Sequence, residues 1–191
     1  MKNKFRLFPC LIGLVLFFAC NNGSSEKTTV TLNADSTSGT NNWKIGVQLW
    51  TFRLFTQEEA LAKADSAGIK FIEAFPGQAL DKTSKDTFGI SMSAAGRQKL
   101  KGLLKLHHIQ MVAMGVTTPD TKADWIKTFD LAKEFGLSYI TSEPLKSQWD
   151  MVDRLAGVYN IKIAIHDHPK PNTYWHPDSV LAAVKGHSNI G

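Results

Sequence analysis

The stretch NIKIAIHDHPKP, residues 160–171, leads from the end of one helix-like segment into a short apolar strand and then into a polar loop. Three other stretches share its beginning: GIKFI at 68–72, HIQMV at 108–112 and GLSYI at 136–140 each follow a predicted helix. In chain order, the first residues of the four stretches are 40, 28 and 24 positions apart, which is the scale of repeated βα units. The repeat therefore predicts alternating strands and helices.

Strands buried on both faces and separated by helices indicate a parallel sheet, hence the α/β class. Five such units, with no Gly-rich dinucleotide loop after the first strand, favour a (β/α)8 TIM barrel over a doubly wound sheet. A complete barrel takes about 250 residues, and the final residues, SNIG, resemble the start of a sixth strand. We therefore expect only about the first five β/α units, in a truncated chain. A natural half-barrel is the alternative.

Local signals set the expected element boundaries. Thr56 and Glu59 have the spacing of a capping box, and a glycine is expected to stop that first helix. Thr121 is the expected N-cap of the third helix. The first strand is expected to cover KIGVQLWTF, residues 44–52, and the fifth strand IKIAIHDHP, residues 161–169.

The first 20 residues, MKNKFRLFPCLIGLVLFFAC, have a basic start and a short apolar run, as in a secretory signal. Cys20 follows a small residue, as in a bacterial lipoprotein signal, and is the expected site of lipidation. Residues 21–42 are rich in Asn, Ser, Thr and Gly, so they are expected to form a flexible linker to the folded part, residues 43–191. An exported, membrane-anchored protein on the periplasmic side is predicted. An uncleaved anchor or plain secretion is the alternative.

Charge and cysteine content exclude several classes of function. The first 20 residues hold three of the 22 basic residues and none of the 17 acidic ones, so residues 21–191 carry a net charge of about +2. This balance argues against a nucleic-acid partner. Both cysteines, Cys10 and Cys20, lie in the signal segment, so no disulfide or cysteine metal site is expected in the folded part.

In a barrel of this type, functional groups collect at the carboxyl ends of the strands. In the fifth strand, the isoleucines alternate with a second row in which His166 and His168 share one face, about 7 Å apart along the strand. Two imidazoles on one face, with Glu143 from the neighbouring strand, could hold zinc, manganese or iron better than magnesium or calcium. The alternation nevertheless places Glu143 on the face opposite the histidines unless the strand twists. Hydrogen bonding of the histidines to a carbohydrate or to backbone groups is the alternative.

Other strand ends offer further candidates. Glu73 could be a base or a substrate-binding carboxylate, or part of a salt bridge. Trp50 and Phe75 could form a wall on which a sugar stacks, or belong to the core. Lys170 could attract an acidic ligand, or be a solvated loop residue.

The stretches IGVQLWTF, GIKFIEAFPG, ITSEP and NIKIAIHDHPKP, in this order, resemble the xylose isomerase-like TIM barrels. They are most similar to the secreted sugar phosphate isomerase/epimerase proteins of bacteria. The resemblance runs from about residue 44 to residue 191. It implies a divalent metal (Mn, Zn or Co) that polarises a sugar carbonyl, with carboxylates that move a proton through an enediolate.

By position, Glu143 matches the first metal carboxylate of the family, while His166 and His168 match a histidine-rich strand end that lines the substrate pocket. The other ligands of the family, an aspartate, a histidine and a glutamate, belong to strands six to eight. The candidate residues are therefore Glu143, His166 and Glu73 for catalysis, Glu143 and His168 for metal, and Trp50, Glu73, His166, His168 and Lys170 for substrate.

The first hypothesis is thus a metal-dependent sugar isomerase or epimerase, with a small carbohydrate as substrate. The alternatives are a keto-sugar lyase or dehydratase of the same fold and a carbohydrate-binding lipoprotein without turnover. DNA repair of the endonuclease IV type shares the fold but conflicts with the export signal and the low charge. Self-association into a homo-oligomer is left open.

Overall fold

The computed structural model describes residues 43–191, so the predicted signal segment with Cys20 and the predicted linker 21–42 lie outside the described residues. Within 43–191, no helix is both long enough and apolar enough to cross a bilayer. Five strands alternate with five helices. In chain order they are β1 (Gly46–Gln48), α1 (Gln57–Ser66), β2 (Phe71–Ala74), α2 (Ala94–Leu106), β3 (Gln110–Thr117), α3 (Lys122–Glu134), β4 (Tyr139–Ser142), α4 (Trp149–Tyr159), β5 (Lys162–Ile165) and α5 (Pro177–Val184).

The five strands form one parallel sheet in the order β1-β2-β3-β4-β5. Consecutive parallel strands joined by helices are the arrangement of five successive units of a (β/α)8 barrel. The α/β class and the five units expected from the sequence repeat are confirmed. Ile190 forms an isolated parallel bridge to Ile163, at the point where the sequence suggested that a further strand begins.

The predicted helix starts are confirmed. The Thr56 hydroxyl accepts a hydrogen bond from the backbone N–H of Glu59, and the Glu59 carboxylate accepts one from the backbone N–H of Thr56. Thr121 caps α3 by accepting from the backbone N–H of Asp124. Each contact satisfies an N–H that has no partner within its own helix, which sets where the helix begins.

The first and fifth strands are shorter than predicted. β1 ends at Gln48, and Leu49–Phe52 form a 3-10 helix that turns the chain towards α1. β5 ends at Ile165, although the N–H of His166 still donates to Ser142 O (3.0 Å). Two prolines soon follow, at 169 and 171, and proline has no N–H to continue a strand ladder. The two histidines therefore lie just beyond the strand and not within it.

A close backbone contact joins β3 to β4 near the carboxyl edge of the sheet. A Cβ atom on Gly115 would lie 2.2 Å from the carbonyl oxygen of Thr141. The pairing register also shifts between Met114 and Thr117. Only glycine leaves room for the Thr141 backbone at this position.

The longest connection in the described part, residues 75–93, joins β2 to α2 and is termed the β2–α2 loop. Leu80 and Phe88 are fully buried in it. The Asp81 carboxylate is 5% exposed and accepts hydrogen bonds from Thr83 and Ser84 of the loop and from the Lys99 ammonium of α2. The loop is thus held by an apolar core and by an ion pair whose carboxylate is buried.

Candidate functional site

A cavity of about 250 Å³ opens at the carboxyl edge of the sheet. Its lining comes from residues at or just after the ends of four of the five strands. These residues include Gln48, Trp50, Phe75, Gly115, His166 and His168. In parallel α/β folds, ligands bind at this edge, because the loops after the strands meet there.

His166 and His168 lie together at this cavity, on the side where the strand alternation placed them. Their ring centroids are 4.6 Å apart and the rings meet edge to face. Because β5 ends at Ile165, the strand repeat does not set the distance between the side chains. The loop brings the two rings closer than the 7 Å spacing expected along a strand.

Glu143 contacts His168 directly, despite the alternation that placed it on the opposite face. β4 ends at Ser142, so Glu143 is free of the strand alternation. Glu143 Oε1 lies 2.5 Å from His168 Nδ1, and the Glu143 side chain is only 14% exposed. A carboxylate only accepts hydrogen bonds, so this contact favours the ring form that has its hydrogen on Nδ1 and leaves Nε2 as the other ring nitrogen.

Glu73 lies beside the same cavity. Its Oε1 accepts a hydrogen bond from Nε2 of Gln48 (3.2 Å), and Gln48 lines the cavity. Glu73 and Gln48 are also register partners in β2 and β1. Among residues 43–191, Glu73 forms no salt bridge, so the alternative of a structural ion pair has no support there.

Trp50 and Phe75 form one aromatic wall of the cavity. Their ring centroids are 5.1 Å apart at an angle of 77°. Phe75 is buried, whereas Trp50 is 55% exposed and has the Arg53 guanidinium 5.5 Å from its ring. Trp50 therefore presents aromatic surface to the cavity, and Phe75 supports it from the core.

Lys170 is not brought to this cavity. Its ammonium lies 3.9 Å from the ring centroid of Trp175, in the segment that leads to α5. A cation over an aromatic face is a favourable contact in its own right. The structure thus groups Trp50, His166 and His168 around the cavity, with Glu73 and Glu143 bonded to its lining residues, and it leaves Lys170 outside.

Two residues of the site have no counterpart among the sequence-based candidates. Asn172 Nδ2 donates to Glu143 Oε2 (3.1 Å), and Asn172 Oδ1 accepts from the backbone N–H of Tyr174 (2.7 Å). Tyr174 is 1% exposed, and this burial raises the pKa of its phenol. An Asn two residues before Tyr, after prolines, is a recognisable Asx-turn signal, but nothing in it points to Glu143.

The side chains present do not complete a metal site by themselves. Within the part of the chain that the structure describes, no three His, Cys, Asp or Glu side chains are grouped to hold an ion. Glu143 and His168 would supply at most two ligands, whereas a catalytic zinc site takes three from the protein. A metal would need further ligands.

Among the solved structures similar to this chain are two with TM-scores above 0.5. No protein-family model matches the chain, and no curated protein matches it significantly. An uncharacterized protein from Parabacteroides distasonis is 32% identical with a TM-score of 0.67; the match covers 76% of this chain and 59% of the other. A D-allulose 3-epimerase from Methylomonas sp. is 14% identical with a TM-score of 0.52, over 77% of this chain and 60% of the other.

The chain thus spans about 60% of the length of each of these two proteins. At 14% identity, the likeness to the epimerase concerns the fold and leaves the chemistry open. The parallel sheet with alternating helices and these barrel-fold neighbours together establish that residues 43–191 have the fold of a partial TIM barrel.

Proposed function

We propose that this chain belongs to an isomerase- or epimerase-like enzyme that moves a proton on a keto- or aldo-sugar through an enediolate. The observation that carries the proposal is the Glu143–His168 pair beside a cavity with an aromatic wall. The cavity offers stacking surface for a sugar ring, and the pair offers a nitrogen base. A D-allulose 3-epimerase is similar in fold, so an architecture of this type is compatible with such a reaction.

In this proposal, His168 Nε2 takes a proton from the carbon next to the sugar carbonyl and returns one to the neighbouring carbon. Glu143 holds the ring through Nδ1 and balances the positive charge that the imidazole gains. Glu73, kept in place by Gln48, takes the proton of the hydroxyl oxygen and delivers one to the former carbonyl oxygen, so that no net proton is gained or lost. His166 and Trp50 bind the sugar hydroxyls and the face of its ring.

A divalent metal, Mn, Zn or Co, remains part of the proposal because the family resemblance implies one. When bound, such an ion would stabilise negative charge on the enediolate oxygens. In this proposal Glu143 and His168 are occupied as a hydrogen-bonded pair with Nε2 as the base, so such an ion would be held by ligands beyond β5, where the family resemblance places the others. A lipid anchor at Cys20 and a location on the periplasmic side are likewise proposed from the sequence.

Solvent-hydrogen exchange tests this function. The purified protein is incubated with a panel of free aldo- and keto-sugars in D2O, with and without Mn²⁺, Zn²⁺ or Co²⁺, and deuterium at the carbon beside the carbonyl is followed by NMR. We expect exchange that Glu143→Gln lowers by about 100-fold or more, as for loss of a group that supports proton transfer.

The matched control is Asp178→Asn, which removes a carboxylate that is 85% exposed and lies on α5 outside the cavity lining. It should exchange deuterium at the wild-type rate. Absence of exchange with every sugar and metal would refute the isomerase proposal for this chain.

Carbohydrate binding without turnover is the second candidate function. It is favoured by the half-exposed Trp50, whose ring stands edge-on to Phe75 as a stacking surface. Calorimetric titration with the same sugars distinguishes the two functions. Binding that Trp50→Ala abolishes, in the absence of any deuterium exchange, would establish binding alone.

A further inference from the structure

We infer that Asn172 and Tyr174 are positioning residues that hold Glu143 in the one orientation in which it fixes the ring of His168. The inference deepens the proposed function and rests on it for the catalytic meaning of His168. Both residues lie in the segment 166–176 between β5 and α5, termed the β5–α5 loop. Neither contacts the cavity described above, so they would act through Glu143.

Both carboxylate oxygens of Glu143 are engaged. Oε1 faces Nδ1 of His168 at 2.5 Å, and Oε2 accepts from Nδ2 of Asn172 at 3.1 Å. Rotation of the carboxylate would break at least one of these bonds in a site where Glu143 is only 14% exposed. A part-buried carboxylate that loses a donor keeps the cost of its desolvation, so the engaged orientation is favoured.

The amide of Asn172 has a defined direction. Its Oδ1 accepts from the backbone N–H of Tyr174 at 2.7 Å, which leaves Nδ2 as the end that faces Glu143. The opposite amide orientation would place two acceptors, Oδ1 and the carboxylate, against each other. The backbone of Tyr174 therefore determines which atom Glu143 meets.

The side chain of Tyr174 holds the same region from a second direction. Its hydroxyl donates to the backbone carbonyl of Pro144, the residue after Glu143. The same oxygen accepts from Nε1 of Trp149, at the start of α4, at 2.8 Å. The phenol is 1% exposed. The β5–α5 loop thus forms hydrogen bonds both to the side chain of Glu143 and to the backbone of the next residue.

The fixed orientation of Glu143 affects His168, whose side chain is 49% exposed. An exposed imidazole in water samples both neutral tautomers and several ring orientations. Glu143, held by Asn172, selects the form with the hydrogen on Nδ1 and keeps Nε2 available as the base. A purely structural role for the two loop residues would stabilise the fold without affecting this choice.

The tautomer of His168 is the decisive measurement. The full chain, labelled with ¹⁵N at histidine and kept free of metal by a chelator, is studied by NMR at one pH at which the ring is neutral. The wild type should show Nδ1 protonated as the dominant form. In Asn172→Ala and in Tyr174→Phe, Nδ1–H should become the minor form, while the far-ultraviolet circular dichroism stays unchanged.

Thr173→Ala is the control, because Thr173 lies between the two residues and is exposed; it should keep the wild-type tautomer. Tyr174→Phe retains the ring in the core, so at least one variant is expected to fold. If His168 keeps the Nδ1–H form in both folded variants, the positioning role is wrong.

Where a sugar substrate is turned over, both variants should lower kcat about 10- to 100-fold, as for loss of an outer hydrogen-bond partner of a reactive group, and leave KM nearly unchanged. A changed tautomer without turnover of any sugar would uphold the positioning role and refute the proposed reaction. Turnover with an unaltered tautomer would uphold the proposed reaction and refute the positioning role.

Discussion

The β2–α2 loop and the β5–α5 loop leave the same edge of the sheet, yet their polar groups have different partners. In the first, the Asp81 carboxylate is bonded to its own loop and to Lys99, beside the buried Leu80. In the second, Asn172 reaches across to Glu143, and His168 keeps one ring nitrogen free of that pair.

The difference separates a loop whose polar groups are bonded within the fold from one with polar groups that face a cavity. Every oxygen of the Asp81 carboxylate is occupied by hydrogen-bond donors of the fold, so none is left for a ligand. His168 is half exposed and lines a cavity. Its bond to Glu143 therefore orients the ring and leaves the other ring nitrogen outside that bond. A cluster of ionisable groups indicates a reactive site only where at least one member still faces open space.

The largest expected effect concerns the apolar support of the β2–α2 loop. Leu80→Ala removes a side chain that is 1% exposed, so the free energy of unfolding should fall by about 2–5 kcal/mol. Chemical denaturation measures it. The control Leu54→Ala changes a side chain that is 87% exposed and should cost at most about 0.5 kcal/mol. Equal losses in the two variants would mean that this loop lies outside the cooperative core.

The acid dependence of stability should also come from the β2–α2 loop. Hydrogen bonds, first from Lys99 and then from Thr83, hold the pKa of Asp81 far below its usual range. Its contribution is therefore present above the unfolded pKa of about 4 and is lost as the pH falls towards the folded pKa.

Asp81→Asn should lower stability at pH 7 and reduce by about one the protons taken up on unfolding near pH 3. Denaturation at several pH values checks both expectations, with Asp178→Asn as the exposed control. If the free energy of unfolding of Asp81→Asn falls with decreasing pH as steeply as that of the wild type, the Asp81–Lys99 pair does not contribute to the acid dependence of stability.

The smallest expected effect lies at His187, just beyond the end of α5. His187 Nδ1 faces the carbonyl of Ala183, and Nε2 faces a carboxylate oxygen of Asp150. Both partners are acceptors, so the cation fits best, and the bond to Asp150 raises the pKa of His187.

This contribution is fully present below the unfolded pKa of about 6.5 and is lost as the pH rises through the higher folded value. His187→Gln should remove that decline, by at most about 1 kcal/mol, because Asp150 is 82% exposed. Unfolding measured at pH 5.5 and pH 9 checks it. A wild type whose stability does not fall between these values would contradict the assignment.

The local parts of the fold were predictable from the sequence because their signals are local. Thr56 and Thr121 cap their helices by accepting from backbone N–H groups only three residues further along the chain. The repeated strand starts mark the βα units. The strand ends were predicted less well, since apolar residues such as Leu49 suit a strand and a 3-10 helix equally.

The site was predictable in part. His166 and His168 are neighbours in the sequence, and their cavity follows from their place at the end of β5. The contacts of Glu143 with His168 and Asn172 join residues 25 and 29 positions apart and depend on how two loops leave their strands. No spacing rule applies to such pairs, which explains why Asn172 and Tyr174 were missed.

The close approach of Gly115 to Thr141 has a consequence for attempts to reshape the cavity. Gly115 lines the cavity, and any side chain there would collide with the backbone of the adjacent strand. This part of the cavity floor is therefore main chain, which substitution cannot reshape. Libraries aimed at a larger or smaller ligand should vary the side walls at Trp50 and Phe75, and leave the floor unchanged.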